Sequence, residues 1–88
     1  MVRVYKCKNF NIYSNLHNGF IIHNTKKPFD EGHTHINNFD TAKFLIKLSI
    51  HKSVPDHLSN YLLESLIRIN KDRKYIQKLK NIKNKGSR

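Results

Sequence analysis

The chain has 88 residues, a hydrophobic fraction of 38% and a formal net charge of +11 at pH 7. This length favours one domain, over residues 1–88, and excludes a core that also encloses a deep active site. So high a charge predicts attraction to polyanions: nucleic acid, an acidic protein surface or an anionic membrane face.

The positive charge is concentrated in the last part of the chain. Residues 45–88 hold eleven Lys and Arg against three acids, and from Lys71 onward there are eight basic residues and one acid. Cys7 is the only cysteine, so an internal disulfide cannot form. No secretory signal and no membrane-spanning apolar run is visible, and we expect a cytoplasmic protein that does not bind membranes.

Three strands are predicted in residues 2–24. Residues 1–7 and 10–13 alternate between apolar and polar side chains, and residues 20–23 are mostly apolar. Asn18-Gly19 favours a type I′ hairpin turn, because both residues tolerate a positive φ angle. Residues 25–38 have no period and are interpreted as a loop, in which residues 33–36 are compatible with another short strand.

Two helices are predicted next. The first covers residues 39–51 and begins after Asn37 or Asn38, either of which can cap it. The second, over residues 54–69, is expected to be the central core helix. Ser53 and Asp56 have the spacing of a capping box, and Pro55 suits a first turn. Its apolar stripe consists of Leu58, Tyr61, Leu62, Leu66 and Ile69, with Leu63 and Ile67 beside it.

A third helix is predicted after Asn70, which can cap it. Tyr75, Ile76, Leu79 and Ile82 give this helix a narrow apolar stripe surrounded by lysines. The expected fold is therefore α+β: an N-terminal three-stranded antiparallel β-meander (residues 2–24), a loop, and a three-helix region (residues 39–85) packed on one face of the sheet. The central helix should lie between the sheet and the other two helices.

The basic third helix is the main candidate for a functional surface. Lysines and arginines on its sides can neutralise backbone phosphates, and Tyr75 can either stack on an unpaired base or pack on the core. We expect a small non-catalytic protein that contacts nucleic acid without reading its sequence. The predicted contact residues are Arg68, Lys71, Arg73, Lys74, Lys78, Lys80 and Lys83.

Other binding functions stay open. Small size, heavy charge and the absence of a catalytic constellation are also typical of phage-encoded inhibitors of host nucleases, including anti-CRISPR proteins. Such a protein, from a phage or mobile element, would dock on an acidic surface of a nucleic-acid-handling enzyme. A homodimer could form through a sheet edge or the stripe of the third helix. A helix-turn-helix is disfavoured, since Asp56 would repel phosphate at the start of the recognition helix.

The motif His33-Thr-His35 is the one pattern with chemical character. In an extended segment both imidazoles project to the same side, and Asp30 and Glu31 are close in sequence, so these residues are candidates for binding a metal. A structural zinc site normally needs four ligands, however, and no Cys pair or second His pair has suitable spacing. We therefore predict no metal and no cofactor. A small His-dependent or metal-dependent nuclease is the second alternative.

Overall fold

The sheet is an antiparallel meander of four strands, one more than the three predicted. The computed structural model describes residues 2–15 and 19–86, with side chains up to Asn84. Strands β1 (Val2–Cys7), β2 (Phe10–Asn15), β3 (Gly19–Asn24) and β4 (His33–Ile36) are neighbours in chain order. β4 lies in the segment interpreted as a loop. It is four residues long, too short for alternation alone to separate a strand from a loop.

The hairpin between β2 and β3 is formed, but the predicted type I′ turn at Asn18-Gly19 is wrong: Gly19 already lies in β3, pairs with Asn15 and does not have a positive φ angle. The turn itself, which includes Asn18, lies outside the described residues. β1 is less regular, because its register with β2 shifts between Arg3 and Tyr5. This bulge leaves Val4 exposed, whereas Tyr5 and Cys7 pack against the core.

Helix α1 (Phe39–His51) has the predicted bounds, whereas α2 (Asn60–Ile69) begins six residues later than predicted. Ser59 caps α2 by accepting a hydrogen bond from the backbone N–H of Leu62. Pro55 disfavours the helical conformation at Val54, but it does not account for residues 55–59, where the Ser59 cap sets the beginning of the helix. The capping box predicted at Ser53 and Asp56 is therefore wrong.

Helix α3 (Arg73–Gly86) is capped by Asp72 and not by Asn70. One carboxylate oxygen of Asp72 accepts hydrogen bonds from the backbone N–H groups of Lys74 and Tyr75, at 2.9 and 3.2 Å. The Asn70 side chain is buried instead, and its Nδ2 donates to Ser49 Oγ at 2.9 Å. Asn70 thus joins the end of α2 to α1, and the predicted cap is wrong.

Helices α1 and α2 cover one face of the sheet, while α3 packs chiefly against α2. The prediction that all three helices pack on the sheet is thus corrected for α3, which forms an outer position of the helical layer. Tyr61, assigned to the apolar stripe of α2, is 54% exposed. Among the described residues, no helix is long and apolar enough to cross a membrane. The fully buried core side chains include Ile12, Ile22, Ile36, Leu45, Ile46, Leu63, Leu66, Ile69 and Leu79.

Candidate nucleic-acid interface

The first turn of α3 is fixed to α1 by a buried tyrosine. Tyr75 is 2% exposed, and its hydroxyl lies 2.8 Å from the carbonyl oxygen of Ser53 and 3.2 Å from that of Leu48. Burial raises the pKa of Tyr75 to about 12. The ring is enclosed by the core and cannot stack on a base, so the core alternative for Tyr75 is the correct one.

The single acid near this turn is already engaged. The hydrogen bonds from the N–H groups of Tyr75 and Lys74, together with Lys52 3.6 Å away, hold the pKa of the Asp72 carboxyl below its ordinary value. Asp72 therefore stays ionised at neutral pH and stabilises the helix N-terminus. Its charge is offset locally by Lys52 and by the helix dipole.

Up to Asn84, where the described side chains of α3 end, the exposed basic residues form two rows and not a belt around three sides. An α-helix turns by about 100° per residue, so Lys74 and Lys78 lie on one side of the buried Tyr75. Arg73 and Lys80 lie on the other side. The strip between the rows carries neutral amide side chains, two of which are hydrogen-bonded to each other at 3.0 Å. All four basic side chains are exposed, and α3 contains no acid.

Two of the predicted contact residues are used inside the protein. Arg68 donates from Nε to the carbonyl oxygen of His33 at 2.6 Å and from Nη2 to that of Asp30 at 3.0 Å. Lys83 forms an ion pair with Glu64 of α2 at 2.7 Å. Arg68 thus fixes β4 and the preceding loop to α2, and Lys83 joins α3 to α2.

An open cleft of about 470 Å³ lies at the beginning of α3. Four lysines from separate segments line it: Lys8 in the β1–β2 turn, Lys26 after β3, Lys52 after α1 and Lys71 before α3. Asp72 is the one carboxylate in the lining. We call these four lysines the basic cleft. Lys71 precedes α3, so the Lys74–Lys78 row begins within one helical turn of this cleft in the chain.

Sequence reasoning found only Lys71 of the basic cleft. Lys8, Lys26 and Lys52 are separated along the chain by strands and a helix, so no spacing connects them. Lys8 and Lys52 do share a local feature, a φ angle of 54°, and they are the two non-glycine residues with positive φ in the described segments. A turn of this kind normally favours glycine or asparagine, which the sequence lacks at both positions.

The histidine motif lies away from these lysines. The rings of His33 and His35 meet edge to face with centroids 5.2 Å apart, and His33 stacks on Phe29 at 4.5 Å. A ring nitrogen of His33 lies 2.5 Å from the backbone oxygen of Phe29. Within residues 2–15 and 19–86, no group of three or more His, Cys, Asp or Glu could hold a metal ion. The imidazoles instead belong to a ring cluster that holds the loop before β4.

The connection between the first two helices also bears on the helix-turn-helix alternative. Residues 52–59 separate α1 from α2, whereas that motif joins its helices by a turn of about three or four residues. Asp56 and His57 lie in this connection and not at the start of a recognition helix. The long connection between α1 and α2 therefore disfavours a helix-turn-helix.

Comparison with protein-family models, curated proteins and solved structures finds no match for this chain. Charge and geometry are therefore the features of the molecule that bear on its function. Of these, the basic cleft and the adjoining row of α3 are the features that point to a ligand class.

Proposed function

We propose that this protein is a small, non-catalytic nucleic-acid-binding protein that contacts backbone phosphates through the basic cleft and the Lys74–Lys78 row. One observation carries the proposal: four lysines from four segments converge on a single cleft at the start of a helix that has no acid. Each lysine that neutralises a phosphate releases condensed counterions, which favours binding and makes it dependent on salt.

The backbone of the cleft supports a role for these lysines beyond solubility. Lys8 and Lys52 occupy left-handed positions, where a residue with a Cβ atom is disfavoured relative to glycine. Keeping a lysine there costs stability, and the cost is offset if the ammonium group has a ligand. Lys52 already has internal partners, since its Nζ lies 3.6 Å from the Asp72 carboxylate and 5.6 Å from the Tyr75 ring centroid. This support therefore comes from Lys8, whose side chain is exposed.

The type of side chain favours contact with the backbone of the nucleic acid and not with its bases. A lysine is a flexible point charge, whereas bidentate recognition of a base edge usually needs an arginine, asparagine or glutamine held in place. Arg68 is engaged with two backbone carbonyls, and Tyr75 is buried. The proposed binding is accordingly tolerant of sequence.

The test is a binding titration by fluorescence anisotropy with labelled single-stranded RNA, single-stranded DNA and duplex DNA, each in two unrelated sequences. We expect affinities that vary little between sequences and fall steeply from 50 to 200 mM salt. Lys74→Glu combined with Lys78→Glu should weaken binding to every sequence by at least about tenfold. The double substitution should also reduce the slope of log K against log salt by about 1.5, the value for two lost contacts.

A matched control distinguishes the row from the overall charge. Lys43 and Lys47 of α1 have the same spacing as Lys74 and Lys78, so Lys43→Glu combined with Lys47→Glu makes the same change in net charge elsewhere. This variant should lose clearly less affinity. Equal losses in the two variants would mean that the ligand responds only to total charge, and the proposed interface would be wrong.

An acidic protein surface would satisfy the same lysines, as an inhibitor of a nucleic-acid-handling enzyme from a phage or mobile element would require. Capture of partners from a lysate with and without nuclease treatment separates the two functions. Loss of retained material after nuclease supports nucleic-acid binding. One dominant protein that persists after nuclease contradicts it and supports the inhibitor. If the chain cleaves nucleic acid and His35→Ala abolishes cleavage, the nuclease alternative replaces both.

A further inference from the structure

The two edge strands of the sheet, β1 and β4, differ in whether their outward backbone groups have partners. At the β4 edge, side chains of α2 bond to the outward carbonyls: Arg68 to His33, as described, and the Tyr61 hydroxyl to His35. At the other edge, no described element lies beyond β1. Half of the backbone N–H and C=O groups of an edge strand point away from its neighbour, so those of β1 are available to another strand.

An apolar groove of about 580 Å³ runs beside this open edge, between β1 and α1. Its lining includes the half-buried Tyr5 and Cys7 of β1, the buried Ile46, and Phe44 of α1, which is 44% exposed. The groove adjoins β1 on the side that carries the helices. A strand added to β1 would therefore direct alternate side chains into it.

The rim of the groove is positively charged. Lys8, Lys43 and Lys47 line its rim, against one carboxylate, that of Asp40. Lys43 lies over the Phe39 ring, with its Nζ 5.1 Å from the ring centroid. None of the three lysines forms an ion pair with a described residue. Their charge attracts an acidic strand as a whole, although its acidic side chains would lie on the opposite face of the sheet.

The opposite face of β1 carries Arg3 and Lys6, which are exposed and pair in register with Tyr13 and Asn11 of β2. Side chains of an added strand alternate between the two faces. The residues that do not enter the groove would therefore lie beside Arg3 and Lys6. Apolar side chains suit the positions that enter the groove, and Asp or Glu suit the positions beside Arg3 and Lys6.

We propose that β1 and the groove bind an extended segment of a partner protein in which apolar residues alternate with Asp or Glu. The segment adds a fifth strand to the sheet and pairs with the regular part of β1, from Tyr5 to Cys7. A second copy of this chain fits poorly, because it would bring Arg3 and Lys6 against the same cations across the new interface. Nucleic acid has no backbone amide to pair with β1 and no apolar residue to fill the groove.

The test uses synthetic peptides as probes. A labelled octapeptide of alternating valine and aspartate is titrated with the protein at physiological salt, next to a peptide with the same eight residues arranged as a valine block and an aspartate block. The alternating peptide should bind at least about tenfold more tightly, because the block arrangement loses several cross-strand contacts at once. Equal affinities, or no binding of the alternating peptide, would overturn the proposal.

Two variants locate the site. Phe44→Glu changes an exposed helix position, so the fold should be kept, and it should weaken peptide binding by at least about tenfold. Lys43→Glu combined with Lys47→Glu should weaken it more than Lys74→Glu combined with Lys78→Glu does. The reverse order would place the peptide on α3 and contradict the proposal. Sedimentation is run in parallel: a dimer that Phe44→Glu dissociates would identify a second copy as the occupant and overturn it as well.

The same variants separate this inference from the proposed function. The α3 variant should lose nucleic acid and keep most peptide affinity, whereas the α1 variant should do the opposite. Loss of nucleic-acid binding alone would leave the peptide site intact, since the cleft and the groove share only Lys8 and Ile50 in their linings. The two proposals can therefore fail independently.

Discussion

The junction of α2 with β4 and the outward row of α3 both carry basic residues, but these residues do different things. At the junction, Arg68 binds two backbone carbonyls, and Lys27 Nζ binds the carbonyls of Arg68 and Asn70 at 3.0 and 3.2 Å. On α3, Lys74 and Lys78 are exposed and have no ion-pair partner among the described residues. A basic side chain near unpaired backbone carbonyls stabilises the fold, whereas one without such carbonyls nearby stays available to a ligand.

Substitution of Arg68 tests most directly whether the two regions differ in this way. Arg68→Ala removes two hydrogen bonds from a charged donor and leaves the carbonyls of His33 and Asp30 to water, so we expect a loss of about 1–2 kcal/mol in the free energy of unfolding. Lys78→Ala should change it by no more than about 0.5 kcal/mol. Urea unfolding with the slope unchanged measures both values.

The same pair of variants should give the opposite order in nucleic-acid affinity, measured under conditions where both are folded. Lys78→Ala should weaken binding more than Arg68→Ala does. If Arg68→Ala is as stable as the wild type and binds more weakly than Lys78→Ala, then Arg68 is a ligand contact and the division between the two regions is wrong.

The next effect concerns Lys8, a cleft residue with an unfavourable backbone. Lys8→Gly relieves a φ angle of 54° and should raise the free energy of unfolding by about 0.5–1 kcal/mol. It also removes a lysine from the basic cleft, so nucleic-acid affinity should fall. Thermal unfolding and anisotropy on the same samples test this opposition of stability and binding.

Lys6→Ala is the control for this prediction, because it removes the same charge from extended backbone outside the basic cleft. Its effect on nucleic-acid affinity should be smaller than that of Lys8→Gly. If Lys8→Gly is stabilised and binds as tightly as the wild type, the lysine in the turn has no role in binding.

Much of the fold could be predicted, because local signals agree with it. The bounds of α1 follow from an asparagine cap and a clear period, and the β2–β3 hairpin follows from its flanking apolar runs. The start of α2 could not be read, since two competing caps, Ser53 and Ser59, precede the same stripe. The restriction before Pro55 affects only Val54, so it does not separate a helix that begins at Pro55 from one that begins at Asn60.

The candidate site was less predictable than the fold. The row on α3 follows from helical spacing, but the role of Arg68 depends on two carbonyls more than thirty residues earlier in the chain, as the separations of 35 and 38 positions show. The basic cleft likewise depends on how turns from distant segments meet. Sequence periodicity reports which face of an element is buried, and it carries no information about which loops come together.

The smallest effect is expected from the ion pair between Lys83 of α3 and Glu64 of α2. Glu64→Gln removes the carboxylate that neutralises Lys83, at a cost of no more than about 1 kcal/mol, since exposed ion pairs contribute little. Nucleic-acid affinity should rise by about two- to threefold as one negative charge leaves the side of α3. Lys83→Gln is the matched variant, and in it affinity should not rise. A gain in both variants, or in neither, would show that the ligand does not approach α3 from this side, and the Lys74–Lys78 row would then be the only part of the helix in contact with it.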